Sequence, residues 1–535
     1  KQIENFQWQA NENEKLPPIV MIVFDEFPLV HLLDTQGNID SSRFPNFGLL
    51  GDEATWYSNA TTVHDQTLKA VPSILTGRYP ENGLIVPIPE NYPESIFNIL
   101  RGKYRIHAME SVTQLSKDFD EEFDAPTVNA RVLATDLVIF YARSLLPTRT
   151  ADQWLPLEDG IWGGFLDRMP ERRKVGSRTA LTKWLNDNSE WRPGKHAART
   201  RYQKSQDFAN DFEKYPPNTF HYLHIAIPHH PYAFLPTGRR YSFSIKGDIT
   251  EEEAIRLKRE AHMLQVGLAD TMLGNFRDKL VDLGLWDNAL VIVVADHGEA
   301  YTTGQNNRIV TPENFGYIGF IPLFIKFPEQ ETGSIDTTNV QTIDIAPTML
   351  DVLDIRNGPR MHGRSLLDQT APIPGFKKVM AVTDVTYLIP EQVFELRRRV
   401  AHQEAVTFFA TADSRADLYN YREGLDYVGD DIMTLKPYHI PAQIGIFNAT
   451  QYEQVDFDAK NFPALVEGEV LEYPQLDPKD VVVGISLNGT IVAVTSPFFS
   501  KTGKLRFHKV LPEKLFKEQN DLRAILLPAN KPESK

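Results

Sequence analysis

The sequence IVMIVFDE, at residues 19–26, decides the fold. It is an unbroken apolar run, mostly of β-branched residues, and two carboxylates follow it directly. A run that is apolar on both faces is typical of a strand buried inside a parallel sheet. The sequence ALVIVVADHG, at residues 289–298, repeats this pattern and ends with Asp296, His297 and a glycine. Because ligands bind at the carboxyl ends of such strands, we expect both polar ends to lie at one functional edge of the sheet.

Helical patterns alternate with these strands. A third apolar run, FIPLFI, covers residues 320–325. Between the first two runs, residues 251–283 carry apolar side chains at four-residue spacing. These side chains are Leu264, Leu268, Met272 and Phe276. A further short helix is expected over residues 343–353. Strands that alternate with helices predict an α/β fold with a mostly parallel central sheet flanked by helices.

By sequence pattern the chain divides into four parts: a polar linker (1–17), an α/β domain (18–375), a connecting segment (376–439) and a small β domain (440–535). Within the α/β domain, residues 130–215 are rich in Trp, Arg and Pro, and we interpret them as a helical insertion or lid. The strongest signal of the C-terminal β domain is VVVGISLNGTIVAV, residues 481–494. Its Asn-Gly pair favours the tight turn of a β-hairpin.

The composition excludes several classes of function. The chain has 535 residues, with 56 Lys and Arg against 71 Asp and Glu, a formal charge of −15. Nucleic acid is therefore not expected as a partner, because clustered cations bind phosphate backbones. The absence of cysteine excludes disulfides, thiolate metal sites and cysteine nucleophiles. No apolar stretch reaches the roughly 18 residues that a transmembrane helix requires. Because the chain begins with Lys1 rather than Met, we expect any signal or anchor to lie upstream of it.

The polar ends of the two strand patterns are candidate metal ligands. Asp296 and His297 offer a carboxylate oxygen and an imidazole nitrogen, a common pair around divalent transition metals. An Asp that caps a turn beside a surface His would give the same sequence, and that interpretation stays open. Asp25 and Glu26 follow the other strand. The two ends reinforce each other, because a cation needs ligands that converge from separate segments.

Thr67 opens the segment TLKAVPSILTGRYP, residues 67–80, which predicts a helix that starts near Pro72 and is closed by Gly77. A helix N-terminus presents unpaired N–H groups and a partial positive charge to an anion. A hydroxyl bound there to a divalent cation loses its proton more readily and becomes a nucleophile. The simpler alternative is that Thr67 only caps the helix.

Four histidines lie within residues 221–230. His221 and His224 fall inside a strand-like apolar run, so we interpret them as core residues. His229 and His230 follow this run, at a position where a loop carries function. We expect the second pair to donate to a phosphoryl oxygen or to protonate a leaving group.

Taken together, these segments resemble the alkaline phosphatase and sulfatase superfamily. The sequence LTGRYP, eight residues after Thr67, is similar to the sulfatase signature, with Thr67 at the nucleophile position. ADHG resembles the metal motif of the family, and PHHP its substrate-binding histidine segment. The matching segments, in the family's order, are 67–80, 228–231, 295–298, 343–348 and 363–367. The resemblance covers about residues 18–370 and implies an alkaline phosphatase-like fold.

The departures from the sulfatase pattern favour phosphorus chemistry. Sulfatases carry Cys or Ser at the nucleophile position and convert it to formylglycine, an aldehyde that Thr67 cannot give. Val71 stands where sulfatases have Arg, and Pro72 resembles the pattern of phosphoethanolamine transferases. The resemblance therefore implies a transferase of the phosphoethanolamine or phosphoglycerol type, and it disfavours a sulfatase.

The resemblance also implies which residues form the site. One divalent metal ion is expected, either Mn, Zn, Mg or Ca. Its expected ligands are Asp25, Thr67, Asp296 and His297, with Glu26 as an alternative or additional ligand. The expected catalytic residues are Thr67, His229 and His230, and the expected substrate-binding residues are Lys69 and Arg308. That Arg308 is an ordinary surface arginine stays open as the alternative.

We expect a metal-dependent phosphotransferase or phosphodiesterase that acts on phospholipid head groups or glycans of the cell envelope. The chain resembles membrane-anchored bacterial sulfatase-like proteins. This resemblance implies the periplasm or the extracytoplasmic face of the inner membrane, with an N-terminal anchor upstream of this chain. Two alternatives stay open. One is a sulfatase-like hydrolase that releases phosphate or sulfate from a soluble ester, and the other is a non-catalytic module that binds glycans.

Overall fold

The computed structural model describes residues 7–8, 16–83, 85–116, 201–243, 248–304, 306–356, 358–409, 417–420 and 424–531. The strands among them are β1 (Gln7–Trp8), β2 (Ile19–Asp25), β3 (Thr55–Tyr57), β4 (Ala60–Thr61), β5 (Arg105–Glu110), β6 (Thr219–Pro228), β7 (Leu290–Ala295), β8 (Leu323–Lys326), β9 (Ser334–Asp336), β10 (Val340–Gln341), β11 (Ile355–Arg356), β12 (Phe376–Met380), β13 (Thr386–Pro390), β14 (Gln443–Ile446), β15 (Leu465–Glu472), β16 (Val481–Leu487), β17 (Thr490–Thr495), β18 (Phe498–Phe499), β19 (Leu505–Val510) and β20 (Leu522–Pro528). The α-helices are α1 (Pro45–Glu53), α2 (Thr67–Thr76), α3 (Ile96–Leu100), α4 (Arg201–Asn210), α5 (Glu251–Asp282), α6 (Phe315–Ile318), α7 (Ile345–Val352), α8 (Glu391–Phe409) and α9 (Thr450–Glu453).

A seven-stranded sheet forms the centre of the α/β domain, in the order β5-β6-β2-β7-β8-β3-β9. β5, β6, β2 and β7 run parallel, whereas β8 is antiparallel to both of its neighbours. β2 and β7 are the first two runs that the sequence predicted, and they lie side by side with Val23 opposite Val294. The predicted fold, a mostly parallel sheet with flanking helices, is therefore confirmed.

Burial explains the sequence of the central strands. Every residue of β2 and of β7 is buried, so neither strand alternates between polar and apolar side chains. The long helix α5 packs on β6 and on α1, and it covers the range that its apolar spacing predicts. The hydroxyl of Thr250 caps α5, since it accepts a hydrogen bond from the backbone N–H of Glu253 at 3.2 Å.

Two elements differ from their sequence-based prediction. The third apolar run forms a strand only over Leu323–Lys326, and this strand is antiparallel to β7. Pro322 has no N–H group to give to the ladder, so the strand begins beyond it. The short helix expected over residues 343–353 forms as α7, behind a 3-10 turn at Thr342–Asp344. An apolar run predicts that a strand exists, but it does not define the strand's direction.

The C-terminal residues form small antiparallel sheets. One has the order β14-β15-β19-β18 and the other the order β17-β16-β20. The predicted hairpin joins β16 to β17, where Asn488 and Gly489 have φ angles of 56° and 90°. Both angles are positive, as the predicted turn requires. Leu264 of α5 belongs to the hydrophobic core of these sheets. The exact domain boundaries stay predictions.

Only the end of the predicted insertion, residues 130–215, falls within the described part of the chain. There α4 is followed by a 3-10 turn and packs on β6 and α5. Residues 130–200 lie outside the described residues, and their role as a lid stays a prediction. Across the portion of the chain that the structure describes, no helix is both long enough and apolar enough to cross a membrane.

Asp270 fastens α5 to the start of α1. Its Oδ1 accepts hydrogen bonds from the backbone N–H groups of Asn46 and Phe47, at 3.0 and 2.9 Å. Its Oδ2 accepts one from the side-chain amide of Asn46 at 2.9 Å. Burial raises the pKa of Asp270 from 3.8 to about 6, although these hydrogen bonds act in the opposite direction. The folded protein therefore holds this proton more tightly than the unfolded chain does.

We predict that Asp270 makes the folded protein less stable as the pH rises from about 4 to about 6, between the unfolded and folded pKa values. The full effect at neutral pH is about 3 kcal/mol, since each pKa unit corresponds to about 1.4 kcal/mol. Asp270→Asn should lose this part of the pH dependence of Tm in scanning calorimetry. Asp278→Asn, at an exposed position of the same helix, should keep the wild-type profile. Equal profiles for the two variants would contradict the prediction.

Candidate active site

The ends of β2 and β7 place two carboxylates at one edge of the sheet. Asp25 is 0% exposed and so is Asp296. Asp296 Oδ1 accepts hydrogen bonds from the backbone N–H groups of Glu26 at 3.2 Å and of His297 at 2.6 Å. Oδ2 of Asp25 and Oδ2 of Asp296 have no hydrogen-bond partner among the described residues. Each carboxylate therefore keeps one buried oxygen for a further ligand.

Glu26 turns the chain away from β2 with a φ angle of 61°. A side chain larger than glycine is strained in this region, and such strain persists only where the surroundings hold it. Phe27 donates its N–H to the carbonyl oxygen of His297 at 2.8 Å. His262 Nε2 lies 3.0 Å from the carbonyl oxygen of Glu26 and donates to it. These bonds fix the backbone of Glu26 between the two strand ends.

Gly298 is required by a close approach of two backbone segments. A Cβ atom at this position would lie 2.1 Å from the carbonyl oxygen of Tyr317. The N–H of Gly298 donates to the carbonyl oxygen of Ile318 at 2.9 Å. The segment around α6 therefore packs directly against the backbone that carries Asp296 and His297.

Thr67 is the first residue of α2, which corrects the prediction that this helix starts near Pro72. Pro72 lies inside the helix, and Gly77 ends it with a φ angle of 64°. Thr67 Oγ1 lies 3.4 Å from Asp25 Oδ1 and 3.3 Å from His297 Nε2. The hydroxyl therefore sits at a helix N-terminus, where unpaired N–H groups favour an anion, and beside the carboxylate edge.

The other three ligands expected from the sequence lie around His297. His297 Nε2 lies 4.0 Å from Asp25 Oδ1 and 3.5 Å from Asp296 Oδ2. Ligand atoms that share one divalent cation at about 2.0–2.6 Å must lie within about 5.2 Å of one another. His297 Nδ1 lies 3.0 Å from the carbonyl oxygen of Gly298 and donates to it, so Nε2 keeps its lone pair for a ligand. The chain thus has a carboxylate and histidine site that can hold a divalent metal.

The electrostatics of the site also fit a bound cation. Burial, and next the charge of Asp296, raise the pKa of Asp25 well above its usual range. Burial raises the pKa of Asp296 to about 7. Burial and the nearby Arg308 lower the pKa of His297 to about 3, so this ring is neutral. Two desolvated carboxylates with a neutral imidazole beside them are stabilised by a cation.

Glu26 points to a different group of side chains. Its Oε1 lies 2.5 Å from Arg308 Nη1 and 3.6 Å from His229 Nε2. Arg308 Nη1 donates to His229 Nε2 at 3.2 Å, and His229 Nδ1 donates to the carbonyl oxygen of His230. Burial, and next the charges of Arg308 and Arg201, lower the pKa of His229 well below its usual range. His229 is therefore neutral, with its lone pair on Nε2.

The side chains of the two remaining expected residues have contacts of their own. The ring of His230 is half-buried and packs edge-on against Tyr232, with 5.2 Å between the ring centroids. Lys69 is half-buried, and its Nζ donates to the carbonyl oxygen of Glu81 at 2.5 Å. The structure thus brings Asp25, Glu26, Thr67, His229, Asp296, His297 and Arg308 together. The roles of all nine residues stay predictions.

Sequence reasoning missed Arg201, the first residue of α4. Its Nη1 donates to the carbonyl oxygens of Ala226 at 2.6 Å and His229 at 2.9 Å, and its Nη2 to that of His230 at 3.2 Å. Burial lowers the pKa of this guanidinium to about 10, which leaves it charged at neutral pH. Arg201 therefore fixes the loop that carries His229. No local signal singles it out, because it is one of many arginines in the segment 130–215.

Asp65 is a second residue that the sequence did not reveal. Its carboxylate accepts the N–H of Val310 at 2.9 Å and that of Val382 at 2.8 Å. Burial raises its pKa to about 7. Asp65 thus ties the segment that carries Arg308 to the start of α2. Its position two residues before Thr67 is the signal that could have identified it.

The remaining segments that match the family support α2 from its far end. The carbonyl oxygen of Gly77 accepts the N–H groups of His362 at 2.8 Å and Gly363 at 3.0 Å. A Cβ atom on Gly363 would lie 2.0 Å from the carbonyl oxygen of Ile343. His362 is exposed, at the opposite end of α2 from Thr67. These residues position the helix and lie away from the carboxylate edge.

We predict that Gly298→Ala destabilises the protein by at least about 1–3 kcal/mol, the usual cost of an overpacked methyl group. The backbone of His297 would have to move, so metal retained after dialysis should also fall. Tm and metal content measure the two effects. Gly375→Ala is the matched control, since a Cβ atom there would meet nothing within 4 Å. A Gly298→Ala variant with wild-type Tm and metal content would contradict the prediction.

Comparison with known sequences identifies the family. The sequence model of the sulfatase family, described as "Sulfatase", matches residues 17–355. Arylsulfatase K of Bos taurus is 29% identical over 131 residues, which are 24% of this chain and 24% of that protein. The multifunctional alkaline phosphatase superfamily protein PehA of Trinickia caryophylli is 32% identical over 129 residues, 23% of this chain and 24% of that protein. The chain thus matches about a quarter of the length of these relatives.

Two solved structures are similar to this chain at low sequence identity. The phosphonate monoester hydrolase of Agrobacterium radiobacter is 16% identical, with a TM-score of 0.42, and the match covers 68% of this chain and 80% of that one. The lipoteichoic acid synthase LtaP of Listeria monocytogenes is 14% identical, with a TM-score of 0.39, and the match covers 73% of this chain and 92% of that one. Because the family match covers well over half of the chain, the protein belongs to the sulfatase family, within the alkaline phosphatase superfamily.

Proposed function

We propose that this protein is a metal-dependent phosphotransferase or phosphodiesterase with Thr67 as its nucleophile. One observation carries the proposal: Thr67 Oγ1 lies 3.4 Å from Asp25 Oδ1 and 3.3 Å from His297 Nε2, at the N-terminus of α2. Threonine carries a secondary alcohol, which cannot become the aldehyde that sulfatases use. A hydroxyl in this position supports direct attack on phosphorus.

The residues around Thr67 have separate tasks in this proposal. A divalent ion held by Asp25, Thr67, Asp296 and His297 would lower the pKa of the Thr67 hydroxyl and offset the charge of the phosphoryl group. The N–H groups at the start of α2 donate hydrogen bonds to the phosphoryl oxygens. Arg308 offers its guanidinium to the same anion. Glu26, 2.5 Å from Arg308 Nη1, holds that guanidinium in place.

The reaction then has two displacement steps. In the first, Thr67 Oγ1 gives up its proton and forms a bond to phosphorus, the bond from phosphorus to the leaving oxygen breaks, and the leaving alkoxide takes a proton. The enzyme is left with a phosphothreonine ester at residue 67. In the second step an acceptor hydroxyl or water attacks phosphorus, and the Thr67 oxygen leaves. Transfer and hydrolysis thus share one intermediate and differ only in the acceptor.

His229 is arranged to accept a proton. Its Nδ1 donates to the carbonyl oxygen of His230. The lone pair on its Nε2 accepts a hydrogen bond from Arg308 Nη1 at 3.2 Å. His229 is therefore the base for the acceptor hydroxyl in the second step. In the first step the proton that Thr67 releases passes through solvent to His229 Nε2, and the imidazolium so formed is the acid that protonates the leaving group. His230 contributes its carbonyl oxygen to this arrangement.

We further propose that the substrates are phospholipid head groups or glycans of the cell envelope. The segment from Thr67 to Pro72 supports this, because it resembles phosphoethanolamine transferases. The same resemblance to membrane-anchored bacterial proteins supports a position at the periplasmic or extracytoplasmic face of the inner membrane. The match to arylsulfatase K favours a second candidate function, a hydrolase that releases sulfate or phosphate from a soluble ester.

We predict that Thr67→Ala lowers turnover of a chromogenic phosphodiester in Mn²⁺ by at least about a thousandfold, since loss of a nucleophile costs this much or more. Mass spectrometry should find the transferred group on residue 67 of the wild type after acid quenching. Chelation should abolish turnover, and added divalent metal should restore it.

Two variants and a second substrate make this test specific. Thr67→Ser keeps a hydroxyl and should keep activity. Thr76→Ala removes a buried hydroxyl at the other end of α2, where Thr76 Oγ1 donates to the carbonyl oxygen of Pro72 at 2.7 Å, and should leave turnover unchanged. Full activity in Thr67→Ala would refute the proposal. Turnover of a sulfate ester with no turnover of phosphodiesters would establish the second candidate instead.

We predict that an added alcohol such as glycerol diverts product from water to a glycerol adduct, because both nucleophiles compete for one intermediate. Chromatography of the products with and without glycerol measures this ratio. When formation of the threonine ester is the rate-limiting step, added glycerol should not change the rate at which the first leaving group is released. Products that never contain glycerol would identify a strict hydrolase.

A further inference from the structure

His224 is a buried histidine whose ring has no hydrogen bond to any residue that the structure describes. It lies on β6 beside Val23 of β2, and its residue is 0% exposed. Both of its ring nitrogens lack a hydrogen-bond partner among the described residues. The sequence alone indicates a core residue here, and burial agrees with that interpretation. Burial does not explain why a polar ring lies in the core without a hydrogen-bond partner among the described residues.

Other buried histidines in this protein show what a core position normally includes. His262 donates from Nε2 to the carbonyl oxygen of Glu26 at 3.0 Å. His107 and His221 share a hydrogen bond between their Nδ1 atoms at 2.9 Å. His64 Nδ1 accepts the N–H of Gln66 at 3.0 Å. Buried polar groups are nearly always paired, so the ring of His224 requires a specific explanation.

The surroundings of His224 provide that explanation. One ring nitrogen of His224, one carboxylate oxygen of Asp25 and one of Asp296 lie within 4.8 Å of one another. Oδ2 of each carboxylate also lacks a hydrogen-bond partner within the described residues. Three buried groups that are rich in lone pairs therefore converge on one point. A single cation would pair with all of them.

We propose that His224 is a further ligand of the cation that Asp25 and Asp296 hold, in addition to His297. This inference rests on the metal site of the proposed function and specifies which ion that site takes. Two imidazole nitrogens together with carboxylate oxygens suit a transition metal such as Zn²⁺ or Fe²⁺. Mg²⁺ and Ca²⁺ prefer sites made of oxygen ligands alone. His224 is thus a selectivity residue for the metal.

A buried water molecule is the competing explanation. Water can bridge polar groups in a cavity, and it would donate to two carboxylates and accept from an imidazole N–H. In that case His224 would affect the stability of the protein but not the choice of metal. The two explanations therefore differ in the metal selectivity of a variant that lacks the ring nitrogens.

The test compares metal affinities of the full chain and its variants after removal of bound metal. Zn²⁺, Mg²⁺ and Ca²⁺ are titrated against a chromophoric chelator. His224→Phe should bind Zn²⁺ at least about tenfold more weakly and lose most of the preference for Zn²⁺ over Mg²⁺. Its metal-free form should melt at a higher temperature than the metal-free wild type, because a buried unpaired imidazole has been removed.

Two controls flank this variant. His297→Phe removes an expected ligand and should weaken Zn²⁺ binding. His221→Phe changes a buried histidine on the same strand, outside the cluster, and should keep the wild-type affinity. X-ray absorption of the Zn²⁺-loaded wild type should show two imidazole ligands, and this measurement needs no variant to fold. His224→Gln replaces His224→Phe in the titration when the latter does not fold.

The possible outcomes separate the inference from the proposed function. A wild-type protein that binds none of the three ions would overturn both. Zn²⁺ binding that weakens in His297→Phe but not in His224→Phe, with one imidazole in the absorption spectrum, would overturn only the inference and assign the position to water. Loss of affinity in both variants, with two imidazoles, would establish His224 as a ligand.

Discussion

The main constraint on this structure is the repulsion between two buried carboxylates, which the order of the strands places side by side. β2 and β7 are neighbours in a parallel sheet, so Asp25 and Asp296 meet at the same edge, and both residues are 0% exposed. Burial alone disfavours their charged forms, and each charge disfavours the other. The surrounding elements make this edge stable by directing donors and positive charge toward it. The site is therefore a consequence of strand order.

Several parts of the protein act together against this negative charge. Asp296 accepts hydrogen bonds from two backbone N–H groups, and the N-terminus of α2 lies at the same edge. Arg308 pairs with Glu26, and Arg201 lowers the pKa of Asp25 from behind the histidine loop. Among the residues that the structure describes, none donates a hydrogen bond to Oδ2 of Asp25 or Oδ2 of Asp296. The site thus keeps a negative charge that a bound cation would neutralise.

The sequence predicts the fold better than the details of the site. Runs buried on both faces predict β2 and β7, and Asn488-Gly489 predicts a hairpin, because these signals are local. Pro72 misplaced the start of α2, since proline favours the first turn of a helix but here lies in its interior. The role of Arg201 depends on which loop it reaches. His224 was correctly expected to be buried, yet its neighbours follow from β6 lying beside β2, which no local pattern encodes.

The order of the strands also has a kinetic consequence. The hydrogen bond from the N–H of Glu26 to Asp296 joins residues that are 270 positions apart. Closing so long a segment of chain is entropically costly, and folds that depend on distant pairings form slowly. The carboxylate edge exists only after β7 has docked beside β2. A cation that joins these strands would therefore bind only to the completed sheet, and its binding would stabilise the pairing of two distant segments of the chain.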